Sequence, residues 1–168
     1  MNLSPLKQIL LQGYKNHMIE FLHNNPECID EAFDLALGNN QPFSWRSAWL
    51  LSDCLEKNDI RLNDYIIPIL NVIKEKEAGH QRELLKLLLL ATLNEETTGL
   101  VFDISVKFWS DIKNIPSLRF TALKAMVQIA KIIEDLKIEI HFLLDEYYLK
   151  SLSPGIRNAA LKIKKELI

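Results

Sequence analysis

Four arginines recur along this chain at a nearly constant interval, and this spacing constrains the fold more than any other feature of the sequence. Arg46, Arg82, Arg119 and Arg157 are separated by 36, 37 and 38 residues. A proline or glycine lies three or four residues before each arginine, and small or apolar residues follow it. A period of this length is typical of stacked helical hairpins. We therefore predict an array in which each hairpin buries its apolar faces against its neighbours.

Apolar residues spaced three and four positions apart indicate nine helices, and no segment shows the alternation of a strand. The predicted helices span residues 4–23, 27–37, 43–57, 62–77, 80–93, 97–112, 116–133, 136–150 and 154–167. Gly and Pro make up 11 of the 168 residues and lie between these segments or in their first turns, apart from Gly13 and Pro68. This punctuation favours an all-helical chain.

The stretch from Tyr65 to Leu90 resembles HEAT repeats, whose unit is an outer helix A, a short turn and an inner helix B. Its Tyr-Ile-Ile-Pro-Ile-Leu segment is similar to the apolar-proline-apolar pattern of helix A, and Arg82 is similar to the arginine that leads helix B. The resemblance implies that Pro68 bends helix A midway and that the lost hydrogen bond is tolerated at the convex surface.

The fold implied by this resemblance is an all-α, right-handed α-solenoid, or superhelix, of about four HEAT-like helical hairpins plus an N-terminal capping helix. We expect a single domain over residues 1–168. Its predicted divisions are the cap 1–24 and repeats at about 26–58, 60–94, 96–133 and 135–168.

The sequence departs from the HEAT pattern at the position six residues before each arginine, which is often acidic in that family. Asn40, Lys76, Lys113 and Ser151 occupy it here. The arginines therefore need other acceptors, and we predict the C-terminal carbonyls of neighbouring helices, which lack partners within their own helix.

Composition excludes several classes of protein. The chain has 22 acidic and 20 basic side chains, and 48% of its residues are hydrophobic, which is typical of a globular domain. Cys28 and Cys54 lie in no metal-binding or redox motif, which favours a reducing compartment. The most apolar stretch, Leu84–Leu93, is about half as long as a membrane span, and no secretion signal is apparent. We expect a cytoplasmic protein with no membrane partner.

The sequence gives little support for a metal-binding site. Glu20 with His23 and Glu77 with His80 have the spacing of di-iron ligands, but the middles of the inner helices lack the further carboxylates that such a site needs. We interpret both pairs as exposed helix-end residues, and His141 with Asp145 as a pair on one helix face.

Catalytic motifs are similarly unsupported. Cys28 lies near a helix start, where the neighbouring Glu27, Asp30 and Glu31 oppose a thiolate. Because the nucleophile-elbow and nucleotide-binding motifs are also missing from the sequence, we predict no enzyme activity and no cofactor.

Trp45 and Trp49 are i, i+4 neighbours that flank Arg46 and invite three interpretations. They could fill the junction between the cap and the first repeat, form a partner or ligand surface, or contact a DNA lesion. HEAT-like DNA-alkylation-repair glycosylases use tryptophans, an aspartate and arginines on a concave surface. The candidates here are Trp45, Arg46, Trp49 and Asp53, with Trp109 and Asp111 as a second set. A pI near 6.1 argues against a duplex binder.

Charge is distributed unevenly along the chain. Residues 16–45 contain five acids and no Lys or Arg, whereas residues 150–165 contain five bases and no acid. In a solenoid this pattern predicts an acidic front and a basic rear. One interpretation of this charge pattern is head-to-tail self-association, and the other is two ordinary solvated faces.

We predict a non-enzymatic protein-interaction scaffold that presents a concave helical surface to an unidentified protein; nucleic acid is not favoured as a partner. The alternatives are a nucleic-acid binder of the glycosylase type and a structural homo-oligomer. The predicted partner-binding residues, chosen as side chains that the core does not claim, are Trp45, Arg46, Glu83, Lys86, Lys124, Gln128 and Lys162.

Overall fold

The computed structural model describes residues 3–167, and within this range all regular structure is helical. This confirms the predicted all-α fold. These described residues divide into two compact units, of which unit 1 ends at Leu93 and unit 2 begins at Asn94.

Unit 1 contains six α-helices joined by short loops and 3₁₀ turns. They are α1 (Pro5–Gln12), α2 (Lys15–Asn24), α3 (Ile29–Leu37), α4 (Phe43–Cys54), α5 (Ile66–Val72) and α6 (Ala78–Leu90). Helix α4 packs against both α3 and α6, and α1 and α2 also contact it. Its small residues Ser47 and Ala48 are fully buried, as the small positions after each arginine predict.

Unit 2 contains five α-helices, and its longest pair forms a hairpin. The helices are α7 (Glu95–Ser110), α8 (Pro116–Ala130), α9 (Leu136–Leu143), α10 (Glu146–Leu149) and α11 (Pro154–Glu166). An Asn94–Thr97 capping box begins α7, and Pro116 occupies the first turn of α8. Helices α7 and α8 pack along each other, and α8 also contacts α9 and α11.

The predicted helix 4–23 is wrong, because the chain breaks at Gly13. The Gly13 N–H donates to the Ile9 carbonyl at 2.7 Å, and the Gly13 backbone then becomes extended. A Cβ at this position would lie 2.6 Å from the Ile9 oxygen. Glycine therefore allows the close backbone contact that ends α1, and α2 starts two residues later at Lys15.

The predicted helix 62–77 is only partly α-helical. Residues Ile60–Tyr65 and Ile73–Glu75 form 3₁₀ turns on either side of α5. Pro68 is the third residue of α5, so its missing N–H falls in the first turn, where α-helical donors have no partner within the helix. The expected bend in the middle of a long helix is therefore wrong.

The predicted helix 136–150 is divided into α9 and α10, because Asp145 caps the second of them. Its carboxylate accepts the Tyr147 N–H at 3.0 Å. Asp145 therefore does not form the predicted pair with His141 along one helix. The apolar period continues through this cap, so periodicity alone does not reveal the break.

Two of the four periodic arginines bind the C-terminal carbonyls of neighbouring helices, as predicted. Arg46 donates to the carbonyls of Leu11 and Gly13 at the end of α1, at 3.3 and 3.1 Å. Arg119, which is fully buried, donates to the Trp109 carbonyl at 2.9 Å and to the Tyr148 carbonyl at 2.6 Å. These cations satisfy acceptors that the helices leave unpaired.

The other two arginines bind carboxylates, so the prediction is wrong for them. Arg82 pairs with Glu83, and Arg157 pairs with Glu146 at 2.8 Å. Near these two arginines, lysines donate hydrogen bonds to the C-terminal carbonyls of helices instead. Lys76 donates to the Leu37 and Gly38 carbonyls, each at 2.7 Å, and Lys164 donates to the Leu144 carbonyl at 2.9 Å.

Candidate partner-binding surface

Helices α4 and α6 lie side by side and, together with Lys15 of α2, present a set of neighbouring side chains. We call this set the α4–α6 face; its members are Lys15, Trp45, Trp49, Asp53, Arg82 and Lys86. Trp45, Trp49 and Asp53 follow one another at four-residue intervals, which aligns them on α4. A Cβ at Gly79 of α6 would lie 3.6 Å from the Trp45 Nε1, so this indole packs over the start of α6.

A chain of ion pairs crosses the face from α2 to α6. Lys15 Nζ lies 2.8 Å from Asp53 Oδ2, and Lys86 Nζ lies 4.0 Å from Asp53 Oδ1. Lys86 Nζ also lies 2.5 Å from Glu83 Oε2, while Arg82 Nη2 lies 2.6 Å from Glu83 Oε1. Each carboxylate lies between two cations, and the buried Glu83 restrains Arg82 and Lys86 most closely.

Glu83 is fully buried, so its prediction as a contact residue that the core does not claim is wrong. Its carboxylate lies beneath Arg82 and Lys86 and accepts the Ser52 hydroxyl of α4 at 3.2 Å. The close packing of α4 against α6 covers this position. Glu83 instead positions two cations on the face.

Arg46 is also more enclosed than predicted. Its guanidinium points toward the end of α1, donates to Leu11 and Gly13, and lies 3.6 Å from the Met18 sulfur. Both of its terminal nitrogens are engaged in holding α1 and α2 against α4. Arg46 thus has a structural role and is not a free cation beside Trp45.

The three tryptophans have different environments. Trp45 is 38% exposed and Trp49 is half-buried, with Lys15 Nζ 5.5 Å from the Trp49 ring centre. Within residues 3–167, neither indole N–H has a hydrogen-bond acceptor. Trp109 is fully buried, and its Nε1 donates to the Leu143 carbonyl at 2.7 Å.

The second set proposed for DNA contact, Trp109 with Asp111, is therefore wrong as a surface pair. Trp109 belongs to the core of unit 2 beneath Arg119, whose guanidinium carbon lies 4.8 Å from its ring centre. Asp111 ends α7 and accepts the Lys113 N–H at 3.0 Å. Of the two sets, only the one on α4 presents indoles to solvent.

Comparison with models of known protein families assigns the chain to a family. A family model described as a HEAT repeat domain matches residues 4–167. The chain belongs to the HEAT repeat family. Comparison with curated proteins and with solved structures gave no match. The family assignment agrees with the helical structure and with a repeat scaffold for interactions, a role that HEAT repeats generally perform without catalysis.

The remaining predicted contact residues of this HEAT repeat chain lie in unit 2. Lys124 is exposed, with its Nζ 4.8 Å from the Phe120 ring centre. Gln128 is half-buried on α8. Lys162 is exposed on α11, 3.9 Å from Glu166. Their part in binding stays a prediction, separate from the face in unit 1.

The Glu77–His80 pair is not the exposed pair that we predicted, because His80 is buried. Its Nε2 lies 2.8 Å from the Ala36 carbonyl, and its Nδ1 is a buried atom with no partner. Burial lowers the pKa of His80. The described residues contain no group of three side chains placed to hold a metal ion, and none of the described helices is long and apolar enough to cross a membrane.

The surroundings of both cysteines favour the protonated thiol. Burial, followed by the charges of Glu27 and Glu31, raises the pKa of Cys28, in the direction that the sequence predicts. Burial and Asp53 raise the pKa of Cys54 to about 11. A protonated thiol at neutral pH does not support nucleophilic chemistry.

A cavity of about 400 Å³ lies beside Cys54, lined by the loop after α4 and by the end of α2. No sequence motif marks this cavity, because loop residues and helix ends line it. Its Arg61 is already paired with Asp59, and its thiol is protonated. The cavity therefore lacks an activated group, whereas the α4–α6 face carries indole donors without acceptors.

Proposed function

We propose that this HEAT repeat chain is a non-enzymatic interaction module that binds a protein partner through the α4–α6 face. The observation that carries the proposal is Trp45, a large side chain that remains 38% exposed beside side chains fixed by ion pairs. Tryptophan and arginine are enriched among the residues that dominate binding energy at protein interfaces. A rigid surround also lowers the entropy that binding removes.

An affinity capture from native extract tests the proposal. The bait is the full chain, beside a double variant with Trp45→Ala and Lys15→Gln. The matched control carries Ile67→Ala and Lys74→Gln, which alter exposed residues of unit 1 outside the face. We expect a protein retained by the wild type and the control but depleted about tenfold by the face variant. Equal recovery by all three baits would contradict the proposal.

Self-association is the second candidate function, and an apolar surface on α9 favours it. Ile138 and Phe142 are i, i+4 neighbours on this helix, and both are exposed. Large exposed apolar side chains in such an arrangement often mark contact surfaces.

Light scattering separates two forms of self-association. Association through charged ends would weaken between about 50 and 500 mM salt, whereas association through α9 would persist and be lost in Phe142→Ser. A monomer under all these conditions would eliminate this candidate.

A further inference from the structure

The α4–α6 face has an excess of hydrogen-bond donors. Both oxygens of Glu83 are occupied, by Arg82, Lys86 and Ser52, and Asp53 is held by Lys15. The indole N–H groups of Trp45 and Trp49 have no acceptor within residues 3–167. Each lysine ammonium also has three donor hydrogens, more than its carboxylate contact uses. A matching partner must supply acceptors.

On this face, the carboxylate side chains are less exposed to solvent than the cationic side chains are. The side chains of the two carboxylates are 0% (Glu83) and 21% (Asp53) exposed. Those of Arg82, Lys86 and Lys15 are 32%, 36% and 62% exposed. A partner that approaches from solvent therefore meets cations first, although the full chain has a net charge of -2. Such a surface is complementary to an anionic group.

The indole of Trp45 adds an apolar contact beside these cations. It lies over Gly79, which has no side chain to cover it, so the ring stays open to solvent. An apolar or aromatic side chain can pack on this ring while neighbouring carboxylates reach Lys15, Arg82 or Lys86.

From these contacts we infer that the α4–α6 face binds an acidic peptide segment of a protein partner, with an apolar or aromatic residue among its carboxylates. This inference rests on the proposed function and specifies the chemistry of the partner. The carboxylates and backbone carbonyls of the segment supply the acceptors that the face lacks.

A peptide fits this face better than nucleic acid does. A protein that binds a duplex tightly neutralises roughly 6–10 phosphates with basic side chains. This face has three cations, already close to two carboxylates.

Selection from a display library of random dodecapeptides on the immobilised full chain tests the inference. We expect the enriched peptides to be acidic and to contain an apolar or aromatic residue. The best of them, labelled with fluorescein, is then titrated by anisotropy against the wild type and three variants. Trp45→Ala and Lys15→Gln should each weaken binding about tenfold, whereas Lys74→Gln should not. Circular dichroism confirms that each variant is folded.

Two controls define the chemistry. A peptide with its acids changed to Asn and Gln should lose binding, and higher salt should weaken the acidic peptide. An oligo-dT of similar charge is titrated in parallel. Tight oligo-dT binding that is lost in Trp45→Ala would overturn the inference in favour of nucleic acid. Enriched peptides that are neutral or basic would also overturn it.

Failure of the inference is distinguishable from failure of the proposed function. If the affinity capture yields a partner that depends on Trp45 but binds through a neutral segment, the proposed function stands and the acidic-peptide inference fails. If neither peptides nor extract proteins depend on Trp45 and Lys15, both fail.

Discussion

Glu83 shows at the scale of one residue how a buried charge organises an exposed surface. Its carboxylate accepts from Arg82, Lys86 and Ser52 and has no exposure of its own. The sequence could not predict this burial, because Glu83 lies next to two basic residues in a helix and follows the pattern of a solvated face. What covers it is α4, a helix about thirty residues earlier in the chain.

Glu83→Gln should lower the free energy of unfolding by about 1–3 kcal/mol, because it removes the carboxylate from Arg82 and leaves Lys86 with only the longer contact to Asp53. Urea denaturation measures the change. Glu56→Gln, at an exposed loop position, serves as the control and should stay within about 0.5 kcal/mol of the wild type. Equal stability of the two variants would show that Glu83 does not hold the network together.

His80 should make stability depend on pH. Burial, partly offset by the hydrogen bond to Ala36, holds its pKa below the ordinary 6.5, with Lys76 lowering it further and Glu83 raising it. The unfolded chain therefore binds more protons at this site than the folded chain does. Stability from this residue is complete above pH 6.5 and is lost as the pH falls below 6.5 toward the folded pKa.

The measurement compares urea midpoints of the wild type and His80→Gln at about pH 7.5 and 5.5. The wild type should lose more stability than the variant between these two values, since the variant cannot titrate at this position. Equal losses of stability in the wild type and in His80→Gln would show that other groups cause the pH dependence.

At the scale of helices, the places where they end follow from contacts as much as from the apolar period. Gly13 ends α1, and Asp145 starts α10. The apolar period predicts the ends of most helices within a few residues. It wrongly joins α1 to α2 across Gly13 and α9 to α10 across Asp145. A glycine or an aspartate within an apolar pattern is compatible with either a continuous helix or a break. The choice depends on a third group, such as Arg46, which binds the Gly13 carbonyl.

Two glycine-to-alanine substitutions should have opposite effects. Gly13→Ala should destabilise the protein by about 1–3 kcal/mol, because its Cβ would lie 2.6 Å from the Ile9 carbonyl oxygen. Gly99→Ala, within α7 and with no neighbouring atom within 4 Å of the new Cβ, should be stabilising by about 0.4–1 kcal/mol. Thermal unfolding of both variants tests the pair. A stable Gly13→Ala would contradict the tight end of α1.

Arginines at equivalent positions of the repeat should contribute differently to the free energy of unfolding. Arg119 is buried and holds the ends of α7 and α10, so Arg119→Met should destabilise the protein by about 2–4 kcal/mol. Arg157→Met, which removes an exposed ion pair with Glu146, should cost about 0–1 kcal/mol. Chemical denaturation distinguishes them. Similar losses would mean that the common spacing reflects a common structural role.

For the molecule as a whole, the repeat period was the most informative sequence feature, because it predicted the all-helical fold and the HEAT repeat family. The candidate site was harder to predict. Trp45 and Lys86 lie on the α4–α6 face, where their part in binding stays a prediction, whereas Arg46 and Glu83 serve the structure. Lys15 was not predicted, because its place beside Asp53 depends on the break at Gly13 that starts α2 there. Long-range packing of this kind leaves no local signal.

Site-specific photocrosslinking tests the central claim, which is that the α4–α6 face binds a protein partner. A benzophenone amino acid replaces Gln41 in the full chain, an exposed residue whose side chain accepts the Trp45 backbone N–H, so that Trp45 itself stays in place. A second preparation carries it at Ile67, an exposed position on α5. After irradiation in native extract, we predict a discrete covalent adduct with another protein from position 41 and none from position 67. Adducts of the same proteins from both positions, or none from position 41, would contradict the account.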